Sequence, residues 1–98
     1  MYLKIHESYR KVVALCDSEL VGKKFEEGKI QLDVRDDFYR GEEIGDGKAV
    51  EKLKSLALED ATFSIAGEKS VEAAIDAGIV NEEGVMRVKG IPFALVLL

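Results

Sequence analysis

Residues 1–16, MYLKIHESYRKVVALC, carry the pattern from which the fold can be predicted. Residues 2–6 alternate between polar and apolar side chains, as half-buried strands do, and residues 11–16 form a second run rich in β-branched residues. A polar turn over residues 7–10 would pair the two runs as an antiparallel hairpin, with His6 opposite Lys11 and Ile5 opposite Val12. In this register one face of the hairpin is entirely apolar, and it consists of Met1, Leu3, Ile5, Val12, Ala14 and Cys16.

The sequence that follows this hairpin alternates between strand and helix signals. Asp17 is placed to cap a short helical turn that ends at Gly22, and residues 35–47 are polar and glycine-containing, as loops are. The resulting order, β-β-β-α-β-α-β-β, predicts a single α+β domain over residues 1–98, with two helices packed on one face of a mixed sheet. The apolar stretch 91–98 is typical of a strand covered on both faces. The further strands are expected at 29–34, 62–66, 85–88 and 91–98, and the helices are expected to begin at Asp46 and Glu68.

The charge balance restricts the partners that the chain can bind. Its 98 residues carry a formal net charge of −5, and 47% of them are hydrophobic. A net acidic chain lacks the large positive field on which non-specific binding of nucleic acid depends, so we expect no DNA partner. Residues 1–35 are net positive by one charge and the rest are net negative by six, so an anion-binding surface is expected in the first third.

Cys16 is the single cysteine, so no internal disulfide and no cysteine-based zinc site is expected. In the predicted hairpin Cys16 lies far from His6, which argues against a thiol–imidazole pair and favours a buried, structural cysteine packed with Leu3 and Val12. The first residues do not form a signal peptide, and no apolar run approaches the ~20 residues of a membrane span. We therefore expect a cytoplasmic protein without a cofactor.

A set of aromatic and basic side chains in the first hairpin forms the leading candidate site. Aromatic rings interleaved with cations are typical of single-stranded RNA binding, in which bases stack on the rings and phosphates pair with the cations. The sequence therefore predicts a non-catalytic module that contacts RNA or an RNA–protein particle, provided that no helix covers this face. The candidate residues are Tyr2, Lys4, His6, Tyr9, Arg10 and Lys11.

The alternative functions are of two other classes. The acidic stretch 33–46 could hold a divalent metal in a small enzyme, although its spacing matches no EF-hand loop, and the metal-ligand candidates are Asp36, Asp37, Glu42 and Glu43. The chain could also be a protein–protein adaptor or a homodimer that associates through a sheet edge or through its apolar C-terminus. Gly67, between a strand and a helix, is a weak candidate for anion binding and is more typical of a turn.

Several segments resemble a small archaeal family known as domain of unknown function number four hundred and twenty-four. They are 16–20 (CDSEL), 25–28 (FEEG), 38–42 (FYRGE), the glycines and alanine of Gly67-Glu68…Ala74…Gly78, and 88–92 (VKGIP). The resemblance covers almost the whole chain and implies an uncharacterised, archaeal, cytoplasmic, single-domain protein, with no catalytic residue to carry over. A histidine often follows the proline in that family, whereas Phe93 stands there in this sequence, so a polar role is not expected at this position.

The sequence also predicts heat stability. It contains one Gln and one Asn, and 34% of its residues are charged, which is the composition of many proteins from hyperthermophiles.

Overall fold

The structure, a computed structural model, describes residues 1–97, and Leu98 lies outside the described residues. It is an α+β fold built on a six-stranded mixed sheet, with a separate two-stranded sheet and three α-helices. Two short 3-10 turns lie at Ser18–Leu20 and Glu82–Gly84. The strands are β1 (Tyr2–His6), β2 (Lys11–Cys16), β3 (Lys24–Glu27), β4 (Ile30–Asp33), β5 (Glu42–Glu43), β6 (Ala61–Ala66), β7 (Met86–Val88) and β8 (Ile91–Leu97), and the helices are α1 (Asp36–Tyr39), α2 (Asp46–Ala57) and α3 (Glu68–Asp76).

The large sheet has the strand order β5-β1-β2-β6-β8-β7, and the small sheet consists of β3 and β4. Only β2 and β6 pair in parallel among the described strands, and the crossover between them contains α2. The predicted α+β class with a mixed sheet is confirmed. The observed element order adds β3, α1 and β5 to the predicted order, because α1 and β5 lie in the stretch 35–47 that was expected to be a loop and β3 lies in a stretch for which no element was predicted.

Both faces of the large sheet are covered, each over its own apolar cluster. On one face, α2 and α3 pack against the sheet through residues such as Leu53 and Val71, as predicted. On the other face, α1 and the β3–β4 hairpin cover a second cluster that contains Cys16, Leu32 and Tyr39. This second layer was not predicted, and it determines which polar residues of the first hairpin remain accessible.

The predicted register of the first hairpin is wrong by one residue. In the structure Ile5 lies opposite Val13 and Tyr2 lies opposite Cys16. Opposite residues in an antiparallel pair share a face, so Leu3 and Ile5 lie on the same face as Val13 and Leu15, whereas Cys16 lies on the face of Tyr2. Cys16 is fully buried, as expected, but beneath the second layer and not with Leu3.

The last strand also departs from its prediction. β8 pairs with β6 over Phe93–Leu97, but β7 is short and pairs only with Ile91–Phe93. Leu95 and Leu97 are 62% and 71% exposed, so the second half of β8 is not covered on both faces. The tight turn between these strands does form as expected, at Lys89 and Gly90, both with positive φ. No helix within residues 1–97 is long and apolar enough to cross a membrane.

Candidate functional site

Helix α1 packs across the face that was predicted to contact RNA. Lys4 donates a hydrogen bond from Nζ to the carbonyl oxygen of Asp37, at 2.8 Å. The Nε2 atom of His6 lies 2.8 Å from the carbonyl oxygen of Phe38, and the His6 and Phe38 rings stack with centroids 4.6 Å apart. Tyr2, Lys4 and His6 are half-buried beside α1, a helix that the sequence pattern did not reveal, so this face is only partly open.

The two cations at the other end of the hairpin pair with carboxylates from the loop after α2. Arg10 contacts Asp60 at 2.7 Å, and Lys11 contacts Glu59. The hydrogen bond that Lys11 donates to the Glu59 carboxylate raises the pKa of Lys11 above its usual range. These ion pairs offset the positive charge that made the first third of the chain look like an anion-binding surface.

The remaining two residues of the candidate patch lie apart from each other. The Arg40 guanidinium lies 5.1 Å from the centre of the Tyr2 ring and donates a hydrogen bond to its hydroxyl at 3.0 Å. Tyr9 is fully exposed in the turn between β1 and β2. The six residues therefore do not form one stacking surface, and RNA contact through them stays a prediction without geometric support.

The carboxylates that were candidate metal ligands point to different partners. Among residues 1–97, no group of three or more acidic, histidine or cysteine side chains converges to hold a metal ion. The Arg35 guanidinium holds the pKa of the Asp37 carboxyl below its usual range. The arrangement gives the metal-enzyme alternative no geometric support. The ion pairs are Asp36 with Arg40 at 2.7 Å, Asp37 with Arg35 at 2.7 Å, and Glu42 with Lys52 at 3.3 Å, while Glu43 is exposed on the edge strand β5.

Cys16 has the environment of a structural residue. Burial, reinforced by the neighbouring Asp17 carboxylate, raises the pKa of the Cys16 thiol to about 11. Burial likewise raises the pKa of Tyr39, in the same cluster, to about 12. Since the thiolate is the reactive form of cysteine, the thiol is unreactive near neutral pH.

Asp17 occupies the N-terminus of α3, which was the candidate anion site at Gly67. The Asp17 carboxylate accepts hydrogen bonds from the backbone N–H groups of Lys69 (3.1 Å) and Ser70 (2.9 Å) and from the Ser70 hydroxyl (2.8 Å). The prediction that Asp17 caps the short turn that follows it is wrong. Its side chain instead accepts hydrogen bonds at the N-terminus of α3. The anion that binds this helix N-terminus is thus part of the chain itself.

The structure contains a cleft between α3 and the segment that runs from residue 82 to residue 92, and we call it the α3–β7 groove. It has a volume of about 580 Å³, which is in the usual range for ligand pockets. The groove has an apolar floor and an acidic rim. The floor consists of Val71, Ile75, Val85 and Pro92, and the rim consists of Glu68, Glu72, Asp76, Glu82 and Arg87.

The acidic rim is only partly neutralised. Arg87 lies 3.4 Å from Glu68, and both side chains are largely exposed. Glu72 and Asp76 also border a smaller cleft of about 110 Å³, which Asp46 lines from the N-terminus of α2 and the cation Lys69 lines from α3. Carboxylates from α2, from α3 and from the turn at residues 82–84 thus face two adjoining clefts on one side of the molecule.

A periodic acidic pattern in the sequence marks this groove, and it lies outside the candidate sites that were predicted. Glu68, Glu72 and Asp76 recur at every fourth residue, which places them in one stripe along a helix. Like charges at this spacing destabilise an isolated helix by about 0.2–0.5 kcal/mol per pair. The stripe gives one side of α3 a concentrated negative charge.

The fold and the groove define a small α+β domain with a mixed sheet covered on both faces. A family model described as "Protein of unknown function (DUF424)" matches residues 5–98, and the chain belongs to this family, which confirms the resemblance seen in the sequence motifs. The fold is similar to that of an uncharacterized conserved protein from Methanopyrus kandleri, solved by crystallography, with a TM-score of 0.85 and 24% sequence identity over 98% of this chain and 90% of that chain. No curated protein is significantly similar to the chain.

Proposed function

We propose that this protein is a non-catalytic binding module, and that its α3–β7 groove holds lysine or arginine side chains of a protein partner. The observation that carries the proposal is the stripe of Glu68, Glu72 and Asp76 on α3 beside the apolar floor of the groove. The function is thus the recognition of a cationic segment.

The groove matches the two chemical parts of a long cationic side chain. Lysine and arginine bury their aliphatic stems on apolar surface while the charged head remains in contact with water or with carboxylates. Ile75 and Val85, which are half-buried, lie at the floor, where a stem would pack, and Glu72 and Asp76 lie at the rim, where a head group would pair. A small anion or an uncharged ligand would leave the negative charge of the rim carboxylates uncompensated.

The charge of the whole chain favours the same class of partner. Its net charge of −5 attracts a cationic segment at long range and repels nucleic acid, whereas the cations of the first hairpin are already paired within the chain. The buried thiol of Cys16 supports a binding role over nucleophilic catalysis. The cytoplasmic location, the archaeal source and the heat stability suggested by the sequence are part of this proposal.

The proposal can be tested by titrating the protein with short peptides in a calorimeter at low and high salt. A peptide with lysines spaced by aliphatic residues should bind, and its affinity should fall as salt screens the carboxylates. A matched peptide in which each lysine is replaced by a shorter-stemmed cationic residue should bind more weakly, because it cannot reach the rim while packing on the floor. Equal binding of the two peptides would show non-specific attraction and would contradict the proposal.

Variants locate the binding site. The double variant Glu72→Gln/Asp76→Asn should lose most of the affinity, whereas Glu19→Gln/Asp33→Asn removes the same two charges elsewhere on the surface and should retain it. A linear triamine serves as a further probe of the same head-group chemistry. If the triamine binds tightly and the lysine peptide does not, the ligand is a free amine, and the assignment of a protein partner is wrong.

A further inference from the structure

We propose that a second copy of this chain docks on the open edge of β8, so that two copies join their large sheets through residues 94–97. The surface lies at the far end of β8 from its β7 pairing, and the inference is independent of the α3–β7 groove.

The edge is open because its two neighbouring strands differ in length. β6 pairs with β8 as far as Leu97, whereas β7 ends its pairing at Phe93. Along residues 94–97, therefore, no described strand pairs with the side of β8 that faces away from β6. Unpaired backbone N–H and C=O groups in a row form a template for another strand.

Space for a strand exists beside this edge. A cleft of about 380 Å³ separates residues 94–97 from the segment that contains Ile79 and Val80. Glu83 is the only charged residue among those described as lining the cleft. The cleft thus has a mixed lining that carries little charge, and it lies beside the unpaired edge.

The exposed side chains of β8 also favour association. Leu95 and Leu97 are 62% and 71% exposed and, being two residues apart, lie on the same face of the sheet. Exposed large apolar side chains beside an unpaired strand edge mark an interaction surface more often than a free one.

A second copy fits this edge better than a different protein for two reasons. Residues 91–97 carry no charge in a chain of net charge −5, so this edge lets two copies approach with little repulsion. Antiparallel pairing about a two-fold axis at Val96 would also place Leu95 opposite the second copy's Leu97, and the reverse contact would form by symmetry. Each leucine would then gain a cross-strand apolar partner.

The test is the oligomeric state of the full chain, measured by light scattering and sedimentation velocity over a wide range of concentration. Leu95→Lys and Leu97→Lys should be monomeric, while Leu58→Lys, which alters a leucine that is 90% exposed beyond the end of α2, should remain dimeric. Melting curves of each variant check that it folds. The groove variant Glu72→Gln/Asp76→Asn should also remain dimeric, which separates this proposal from the proposed function.

Amide hydrogen exchange identifies the surface directly. In the dimer, backbone amides within residues 94–97 should become more protected as concentration rises. A monomeric wild-type protein at every concentration, a Leu95→Lys variant that still dimerises, or concentration-dependent protection confined to another part of the chain would each overturn the proposal. Pairing of this edge only with a strand from another protein would appear as a monomeric wild type and would also overturn it.

Discussion

Replacing Asp17 should destabilise the whole domain, because this one carboxylate joins strand β2 to helix α3. Asp17 is 4% exposed and accepts three hydrogen bonds, two of them from Ser70, which is fully buried. Asp17→Ala removes all three acceptors and leaves the Ser70 amide and hydroxyl in a site that water does not reach.

The expected magnitude follows from these contacts. Loss of a helix cap costs about 0.5–2 kcal/mol. A buried donor left without a partner adds about 1–3 kcal/mol. We therefore expect Asp17→Ala to lower the free energy of unfolding by about 3 kcal/mol, which corresponds to a fall in Tm of about 12–24 °C for a domain of this size. Asp17→Asn keeps an acceptor for Ser70 but turns a donor toward the Lys69 amide. It should therefore lower the free energy of unfolding by about half as much as Asp17→Ala does.

Urea unfolding and thermal melting measure both variants. Glu19→Ala provides the matched control, because Glu19 is an exposed carboxylate in the turn that directly follows Asp17. The free energy of unfolding of the Glu19→Ala control should lie within about 0.5 kcal/mol of the wild-type value. An Asp17→Ala protein as stable as the control would refute the reasoning.

Gly67 supplies a second, independent check on the same contact. Gly67 has φ of +110°, and a Cβ atom at this position would lie 2.3 Å from Cγ of Asp17. Gly67→Ala should therefore be destabilising both through backbone strain and through this clash. Since Asp17→Ala removes the clashing carboxyl, the double variant should be less destabilised than the sum of the two single variants, by about 1 kcal/mol. Strict additivity would show that the two residues do not contact each other.

Three further predictions concern buried groups and heat. Burial raises the pKa of Cys16 to about 11 and that of Tyr39 to about 12, so the unfolded chain, with pKa values near 9 and 10, loses these protons at lower pH. The free energy of unfolding should thus fall as pH rises from about 9 to 12, and urea titrations that give a constant value would contradict this. The Cys16 thiol should react slowly with an aromatic disulfide reagent at neutral pH and rapidly in urea, and rapid labelling of the native protein would show that it is accessible. The melting midpoint should lie above about 65 °C, and calorimetry giving a midpoint in the usual mesophile range would contradict the composition argument.

Local patterns in the sequence were sufficient to predict the longer elements of the fold. β1, α2 and α3 each carry one clear hydrophobic period, and β2 is recognised by its run of β-branched and apolar residues. Gly78, with φ of +79°, follows the end of α3 in the left-handed conformation that glycine commonly adopts after a helix. α1 has four residues and β5 has two, so neither is long enough to show a period, and both fall in a stretch rich in charged residues.

The hairpin register could not be predicted because both faces of β2 are buried. Val13 and Leu15 pack under α2 and α3, while Ala14 and Cys16 pack under the second layer. A register slip of one residue exchanges the two faces of a strand, and it is excluded by the sequence only where one face must be polar. In KVVALC both faces are apolar, so the hydrophobic pattern is equally compatible with either register.

Surface charge was the least predictable property wherever it depends on contacts between residues distant in sequence. Arg10 and Lys11 pair with carboxylates 50 and 48 residues away in sequence, so the net charge of a sequence window does not give the charge of the surface to which it contributes. The stripe on α3 is different, because a helix places residues four apart side by side whatever the rest of the fold does. Within a helix the spacing of charges can be read directly from sequence, whereas between strands it depends on tertiary pairing. Charge periodicity along predicted helices is therefore a more reliable guide to surface charge than the net charge of a sequence window.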